Sequence, residues 1–316
     1  TTLNNAANGD SPETIKSIKY NAPRDYTAQD RAVTADDYKV LVKSLYANAQ
    51  SVQVYGGEDA ATPDYGKVYI SIKAKSGSNL TEVTKVSLVQ SLKSFAVASV
   101  TPVIIDPETT FIILETTFKY DSSLTTKDIS TLQTNVLDAI SNYNTDTLED
   151  FTGMFRYSAV GQIIDGADSS ILSNITKIKM YKNITPTLSS GLKYTLSFNN
   201  AFFNPHSGHN ASAGGIVSST GFKINNDSST NEHFLDDDGA GNIRVYYLSG
   251  TTRIYTDSSF GTVNYTTGEI ILTSANITSI SNVDGATSTK IRVTTTPSSN
   301  DIIPVRNQVL EIDTAN

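Results

Sequence analysis

The stretch Asn21-Ala-Pro-Arg-Asp-Tyr-Thr-Ala-Gln-Asp-Arg-Ala-Val-Thr-Ala-Asp-Asp-Tyr-Lys-Val-Leu-Val42 carries the most readable folding instruction in this chain. Its second half is written as a helix start. Thr34 is an N-cap residue whose hydroxyl can accept the Asp37 backbone N–H, while Asp36 and Asp37 put negative charge in the first turn, where the helix dipole favours it. Asp37 at the third helical position makes a short-armed capping box with Thr34, and Val33 before the cap can pack on Tyr38 as a hydrophobic staple. From there Tyr38, Leu41, Val42, Leu45 and Ala49 recur at helical spacing, so one apolar stripe is predicted to run to about Asn48. The stretch specifies architecture. It holds no nucleophile with a base, no metal shell and no phosphate cradle.

Working outward, helical and strand patterns alternate up to about residue 184. Val68, Ile70, Ile72 and Ala74 alternate with Lys67, Tyr69, Ser71, Lys73 and Lys75, a strand with one buried and one wet face. Thr81 caps a second helix bearing Leu88, Val89, Leu92, Phe95 and Ala96. Thr109 to Tyr120 reads as a long central strand, a third helix spans about Thr126 to Tyr143, and Ile175 to Tyr181 is a further strand. After Pro186 the helical period disappears. Lys193–Phe198, Asn242–Leu248, Arg253–Thr256, Gly261–Tyr265, Glu269–Thr273 and Lys290–Thr295 are short, β-branched or aromatic, and separated by turn residues. Tyr265-Thr-Thr-Gly268-Glu reads as a tight hairpin, Asn199–Thr230 as a long loop, and Val305–Ile312 as a strand returning to a sheet edge. The predicted fold class is α+β: a mixed α/β layer domain over residues 1–184, then a β-rich sandwich- or barrel-like domain over 185–316.

Composition narrows the function classes. The chain has 316 residues, no Cys and a formal net charge of −8. Zero Cys removes disulfides, thiol catalysis and thiolate metal sites, and the acidic balance argues against nucleic-acid or anionic-membrane partners. No apolar run reaches the ~20 residues of a membrane span. The start at Thr1, without Met or a leader, reads as a fragment of a longer protein.

Three constellations invite a chemical reading, and each has a plainer one. His206-Ser-Gly-His209 offers two imidazoles, but a first-row metal wants a third ligand and His233 lies across a featureless segment. Asp236-Asp-Asp-Gly-Ala-Gly-Asn242 opens like a calcium loop, yet its twelfth position is Tyr247 where a bidentate Glu is required, so a turn into a strand is expected. The Asn-x-Ser/Thr triplets such as Asn79-Leu-Thr and Asn174-Ile-Thr arise by chance in so polar a chain. No Ser stands in a G-x-S-x-G elbow, no Walker-type loop is present, and Glu149 and Asp150 read as a solvated face. The expectation is a protein without catalytic residues, metal or cofactor.

The opening stretch, with Asn8-Gly-Asp-Ser-Pro-Glu-Thr-Ile15 and Tyr65-Gly-Lys-Val-Tyr-Ile-Ser-Ile72, resembles the baseplate J-like family of contractile-tail proteins, most closely the large wedge subunits of T-even-type bacteriophages. Ala22, Pro23, Arg31, Val33, Thr34, Asp37 and Tyr38 carry the resemblance, and Gly261-Thr-Val-Asn-Tyr-Thr-Thr-Gly-Glu-Ile-Ile-Leu272 is similar to a strand-turn-strand element towards the C-terminus of those subunits. The resemblance implies the C-terminal part of a structural virion protein, assembled in the host cytoplasm into the tail baseplate. It implies association with itself, as a homodimer within a larger ring, and with other wedge proteins, holding wedges together during assembly and the triggering of contraction. Tyr65 and Tyr69, aromatics at polar-phase positions, are the candidates for the self-interface. The competing expectation, from the Ser/Thr/Asn-rich second half, is a surface-exposed β-rich binding or adhesion module.

Overall fold

The computed structural model describes residues 15–60, 62–75, 79–209, 215–225, 227, 231–283 and 285–314. Residues 8–14 of the upstream motif, and parts of the expected 199–230 loop, lie outside them. The chain divides into two compact units, the first made of Thr1–Glu108, Glu149–Thr152 and Arg306–Val309, the second of the remainder.

In the first unit, α1 (Ile15–Ala28) and α2 (Ala35–Leu45) precede a hairpin of β1 (Ala49–Gly56) and β2 (Lys67–Ala74). α3 (Glu82–Lys93) then crosses over to β3 (Thr101–Ile105), which pairs parallel to β2, giving the order β1-β2-β3. α2 begins where its cap says it should: Thr34 is extended, its Oγ1 accepts the Asp37 N–H, and Asp37 reaches back to the Thr34 N–H. Thr81 caps α3 in the same way, accepting the Thr84 N–H. Tyr38, Leu41, Val42, Ile70, Ile72, Leu88 and Leu92 form one apolar cluster.

Two expectations are corrected in this unit, and one helix is added to them. α2 ends at Leu45 rather than near Asn48, and Leu45 is partly exposed. The second face of the β1-β2 hairpin is not simply wet, since Ser71 and Ser51 are both buried. Ser51 Oγ accepts the Phe151 N–H and Gln53 Oε1 accepts the Asn307 N–H, so the distant segments 149–152 and 306–309 close that face. Finally, α1 was not foreseen. It contains Pro23 in its interior, where the ring removes one helix hydrogen bond, and most of its side chains are exposed.

The second unit holds β4 (Glu108–Tyr120), α4 (Ile129–Tyr143), α5 (Tyr157–Asp165), β5 (Ile171–Ile184) and β6 (Gly191–Ser197). These are followed by β7 (Ser218–Ser219), β8 (Phe222–Ile224), β9 (His233–Asp237), β10 (Asn242–Ser249) and β11 (Thr252–Asn264). The last strands are β12 (Glu269–Ile280), β13 (Ile291–Thr295) and β14 (Gln308–Ile312). One sheet has the order β14-β4-β5-β13-β7, with α4 and α5 contributing Val136, Ile140, Val160 and Ile164 to the core it shares with Ile112, Ile178 and Met180. The other runs β11-β10-β9-β8-β12-β6, and an extra β11–β12 pairing closes five of these strands into a barrel with β6 attached outside the ring. The barrel-like expectation for the later residues thus holds, and the overall class is α+β with a β-rich part.

The boundary expected near residue 185 falls inside this unit, between β5 and β6, whereas the units separate after Glu108. One apolar cluster joins Met180 and Ile184 of β5 to Leu196, Ile270 and Ile277 of the second sheet, and β13 returns after the barrel to pair with β5. The composition shift marks a change of local period, not a break in contacts. Other differences are local. Arg253–Thr256 and Gly261–Tyr265 are one bulged strand, β11, and α4 starts at Ile129 because Asp128 caps it. The supposed loop 199–230 contains β7 and β8.

The Tyr265–Gly268 connection is the tight hairpin expected between β11 and β12. Asn264 Oδ1 accepts the Thr266 and Thr267 N–H groups, and Gly268 sits at φ +68° with its missing Cβ position 2.0 Å from the Asn200 carbonyl oxygen. Only glycine fits there.

Candidate interaction surfaces

The residues of the opening stretch separate into three environments. Tyr38 is 1% exposed, so it is a core residue, and its hydroxyl has no hydrogen-bond partner. Burial, helped by the Asp37 charge, pushes its pKa above the usual phenol range. Arg31, Val33, Thr34 and Asp37 line a surface pocket with Arg24, Thr27, Ala28 and Asp36. The Asp37 carboxylate accepts from the Thr34 N–H at 2.8 Å and the Val33 N–H at 3.1 Å. Partial burial works to raise the Asp37 pKa, but these backbone donors, the Thr34 hydroxyl and the Arg31 charge together hold it below the ordinary value. Val33 itself is 66% exposed, so the expected Val33–Tyr38 staple does not form. The cap rests on hydrogen bonds alone.

Ala22 and Pro23 lie on the exposed part of α1. Ile15, Ile18, Ala22 and Tyr26 recur at i, i+3, i+7 and i+11, one line along the helix, and all four are exposed. On the opposite side, Ala28 is buried, Arg24 stacks over the Tyr20 ring at 3.7 Å, and the turn into α2 carries Gln29 and Asp30 in the left-handed region. Ala32 is anchored by donating its N–H to the Phe95 carbonyl. The helix is therefore held at its C-terminal end and presents an apolar line along its length.

Of the two tyrosines expected at an interface, only Tyr65 is fully outward, at 80% exposure. Tyr69 stacks on Tyr55 with ring centroids 5.6 Å apart and donates its hydroxyl to Asp64, which Lys67 also holds at 2.6 Å. Arg306 covers the other side of this group, 5.0 Å from the Tyr55 ring centre. Tyr69 is half-buried and belongs to an intramolecular cluster, so it is a poor docking residue.

The chemical constellations resolve into structure. His206 Nε2 and His209 Nδ1 lie 3.2 Å apart, while His233 is fully buried in β9 against Tyr247, with Asp227 at 3.2 Å. His233 does not join the other two: it opens β9. Among the described residues no three His, Asp or Glu side chains gather in a way that could hold a metal ion. Asp236 and Asp237 are buried in β9, and the expected turn into a strand is made by Asp238–Gly241, where Asp238 Oδ1 accepts the Ala240 and Asn242 N–H groups at the start of β10. Asp236 accepts from Arg244 Nε, Arg253 Nη1 and the Tyr255 hydroxyl, each at 2.8 Å. Asp237 accepts the Val217 N–H at 2.9 Å and the Tyr265 hydroxyl at 2.6 Å. Sequence reasoning missed this network because its cationic partners sit across strands β10 and β11. Asp150 is occupied in a local turn with Thr152. No helix among the described residues is long and apolar enough to cross a membrane.

Comparison with known proteins adds the following. Residues 34–105 match the family described as baseplate structural protein gp6, C-terminal domain I, and residues 108–183 match that described as baseplate structural protein gp6, C-terminal domain III. The passage from one match to the other falls where the chain divides into its two units. The baseplate wedge protein gp6 of Enterobacteria phage T4 is 31% identical over 193 residues, covering 60% of this chain and 29% of that protein. The chain thus spans under a third of the length of this curated relative. A solved structure of the anti-feeding prophage baseplate is similar with a TM-score of 0.39 and 11% identity, over 52% of this chain and 37% of that one.

Proposed function

We propose that this chain is a structural component of a phage tail baseplate, corresponding to the C-terminal part of a gp6-like wedge protein, and that it works by shape and association, without catalysis. The observation that carries this is the pair of consecutive matches to C-terminal domains of gp6 across residues 34–183, supported by 31% identity to the T4 wedge protein. Its place would be the virion tail, after assembly in the host cytoplasm, and the wider kinship with baseplate J-like proteins belongs to the same proposal. Its partners would be other copies of itself, paired as homodimers within a ring, and neighbouring wedge proteins. In that setting it would hold wedges together through assembly and the triggering of contraction. The apolar line on α1 is a surface that such association would remove from water. Tyr65 stays a candidate and Tyr69 a weaker one.

The test is mass in solution by light scattering behind size exclusion, across a dilution series and with the neighbouring wedge proteins added. A concentration-dependent oligomer, or stoichiometric entry into a wedge complex, is the expected result. A monomer that ignores those proteins and binds glycans would overturn the proposal in favour of an adhesion module.

A further inference from the structure

The outer face of the barrel carries a patch built around the buried Asp236 carboxylate. Leu235, Ile243 and Val245 belong to the core, so the residues that alternate with them on β9 and β10 stand outside it. Strand register lines up Phe234, Tyr246 and Tyr255 across β9, β10 and β11, sets Asp236 against Arg244 on one side of that row, and sets Leu248 against Arg253 on the other. Successive ring centroids lie 5.8 Å apart, with Arg253 over the Tyr246 ring at 4.6 Å and Arg244 over the Tyr255 ring at 4.4 Å. Neither family match extends to these strands.

The residue types differ from those of ordinary surface. Residues 224–289 contain no lysine at all, and the cations of this face are two arginines set among aromatics. Tyr and Arg are enriched and Lys depleted where proteins meet, and Tyr and Arg recur among the residues that dominate binding. Charge adds a direction. Two guanidiniums share one carboxylate, and the next acid along β11, Asp257, stands opposite the core residue Val245 and accepts the Ser259 N–H. The patch therefore keeps positive charge in excess on a chain whose formal net charge is −8.

The arginines are also fixed before any ligand arrives. Asp236 takes Arg244 as a fork through Nε and Nη2, and Arg253 through Nη1. A side chain already held in the fold loses little freedom when it takes a partner. Arg244 is nearly covered, whereas the guanidinium of Arg253, the Tyr255 ring and Leu248 all reach solvent. With its one carboxylate buried and occupied by three donors, the patch still offers cationic donors and apolar surface. That suits a carboxylate beside an apolar side chain, and it suits a neutral sugar poorly, because sugar hydroxyls need acceptors as well.

We infer that this face docks an acidic segment of a different baseplate protein, with a Glu or Asp carboxylate on Arg253 and an adjoining apolar side chain against Tyr255 and Leu248. The inference rests on the proposed place in the baseplate and adds the surface and the chemistry of the partner.

The test titrates the full chain with each purified neighbouring wedge protein by calorimetry, and separately with polygalacturonate as an acidic glycan. Leu248→Asp and Leu248→Lys both remove an exposed apolar side chain and leave the Asp236 network intact, so they differ in charge alone. The Asp variant is expected to bind a wedge protein about tenfold more weakly than the Lys variant, with the gap narrowing as salt is raised. Arg253→Gln should bind about tenfold more weakly than the parent chain, its melting curve reporting any effect on folding. Leu248→Lys also supplies an amine that residues 224–289 otherwise lack, so a carbodiimide should join that position to a partner carboxylate, located by mass spectrometry. If the parent chain binds a wedge protein but the two Leu248 variants bind it equally, or the cross-link stays within the chain, this inference falls and the baseplate role stands. Binding of polygalacturonate that Arg253→Gln abolishes, with no wedge protein bound, would assign the face to a glycan and overturn both. A chain that binds neither sinks both as well.

Discussion

Asp236→Ala is the substitution from which the structure predicts the largest loss of barrel stability. The Asp236 side chain is 2% exposed and is the common acceptor for two arginines and a tyrosine on β10 and β11. Removing one partner of a buried ion pair costs about 3–5 kcal/mol, because the other charge is stranded. The two cations differ in how far they are stranded. Arg253 is 35% exposed and can turn to water, whereas Arg244 is 12% exposed and keeps only part of its shell, the Asp237 carbonyl at 2.8 Å and the Tyr255 ring at 4.4 Å. The expected loss is therefore near the low end, about 3 kcal/mol. At about 2–4 °C per kcal/mol, calorimetry of the transition that includes the barrel should show Tm lower by roughly 6–12 °C. Asp236→Leu with Arg244→Met should recover most of this, because a well-packed apolar pair is often as stable as the buried ion pair it replaces. A loss below about 1 kcal/mol in Asp236→Ala, or a double variant less stable than the single, would refute the view that a stranded charge sets the cost.

Other perturbations have defined outcomes. Asp37→Ala should destabilise more than Thr34→Ala, since the carboxylate accepts two backbone N–H groups while the Thr34 hydroxyl accepts one at 3.3 Å. Denaturant midpoints should place Thr34→Ala near the lower end of the roughly 0.5–2 kcal/mol range for lost caps, and the reverse order would contradict the hydrogen-bond account. Gly268→Ala, strained by both its φ and the Asn200 carbonyl, should lower Tm by several degrees; an unchanged Tm would mean the hairpin tolerates another turn. The Asp168 carboxyl is held at about 2 by the Lys127 ammonium and by the Ser170 N–H and hydroxyl. Its folded pKa lies below the unfolded one, so its contribution is complete above about pH 4 and is lost as the pH falls towards 2. Asp168→Asn should flatten the fall of Tm with pH over that window, and parallel curves for both proteins would count against it. Elemental analysis of protein made without a His tag should find no stoichiometric transition metal; one lost on His206→Ala would refute the polar-loop reading of His206 and His209.

What could be read from the sequence is what local physics decides. Thr34 and Thr81 announce their helices because a capping hydroxyl acts within three residues, and Gly268 announces a hairpin because its left-handed backbone is local too. α1 was illegible for the same reason turned round: with Pro23 inside it and little beyond Ala28 buried, neither propensity nor a core-facing stripe marked it. The covers over Ser51 and Gln53 come from residues about a hundred and two hundred and fifty positions away, and no spacing rule reaches so far. The turn into β10 was legible at Asp238–Gly241, but Asp236 read as part of it because its arginines are neighbours only across strands. A catalytic site would have left a pattern of residue types, since chemistry demands particular groups at particular distances. An assembly surface is defined by what the fold leaves uncovered, so Tyr65 and Tyr69 look alike in the sequence and differ only once the fold has set Tyr55 and Asp64 against Tyr69 and left Tyr65 outward.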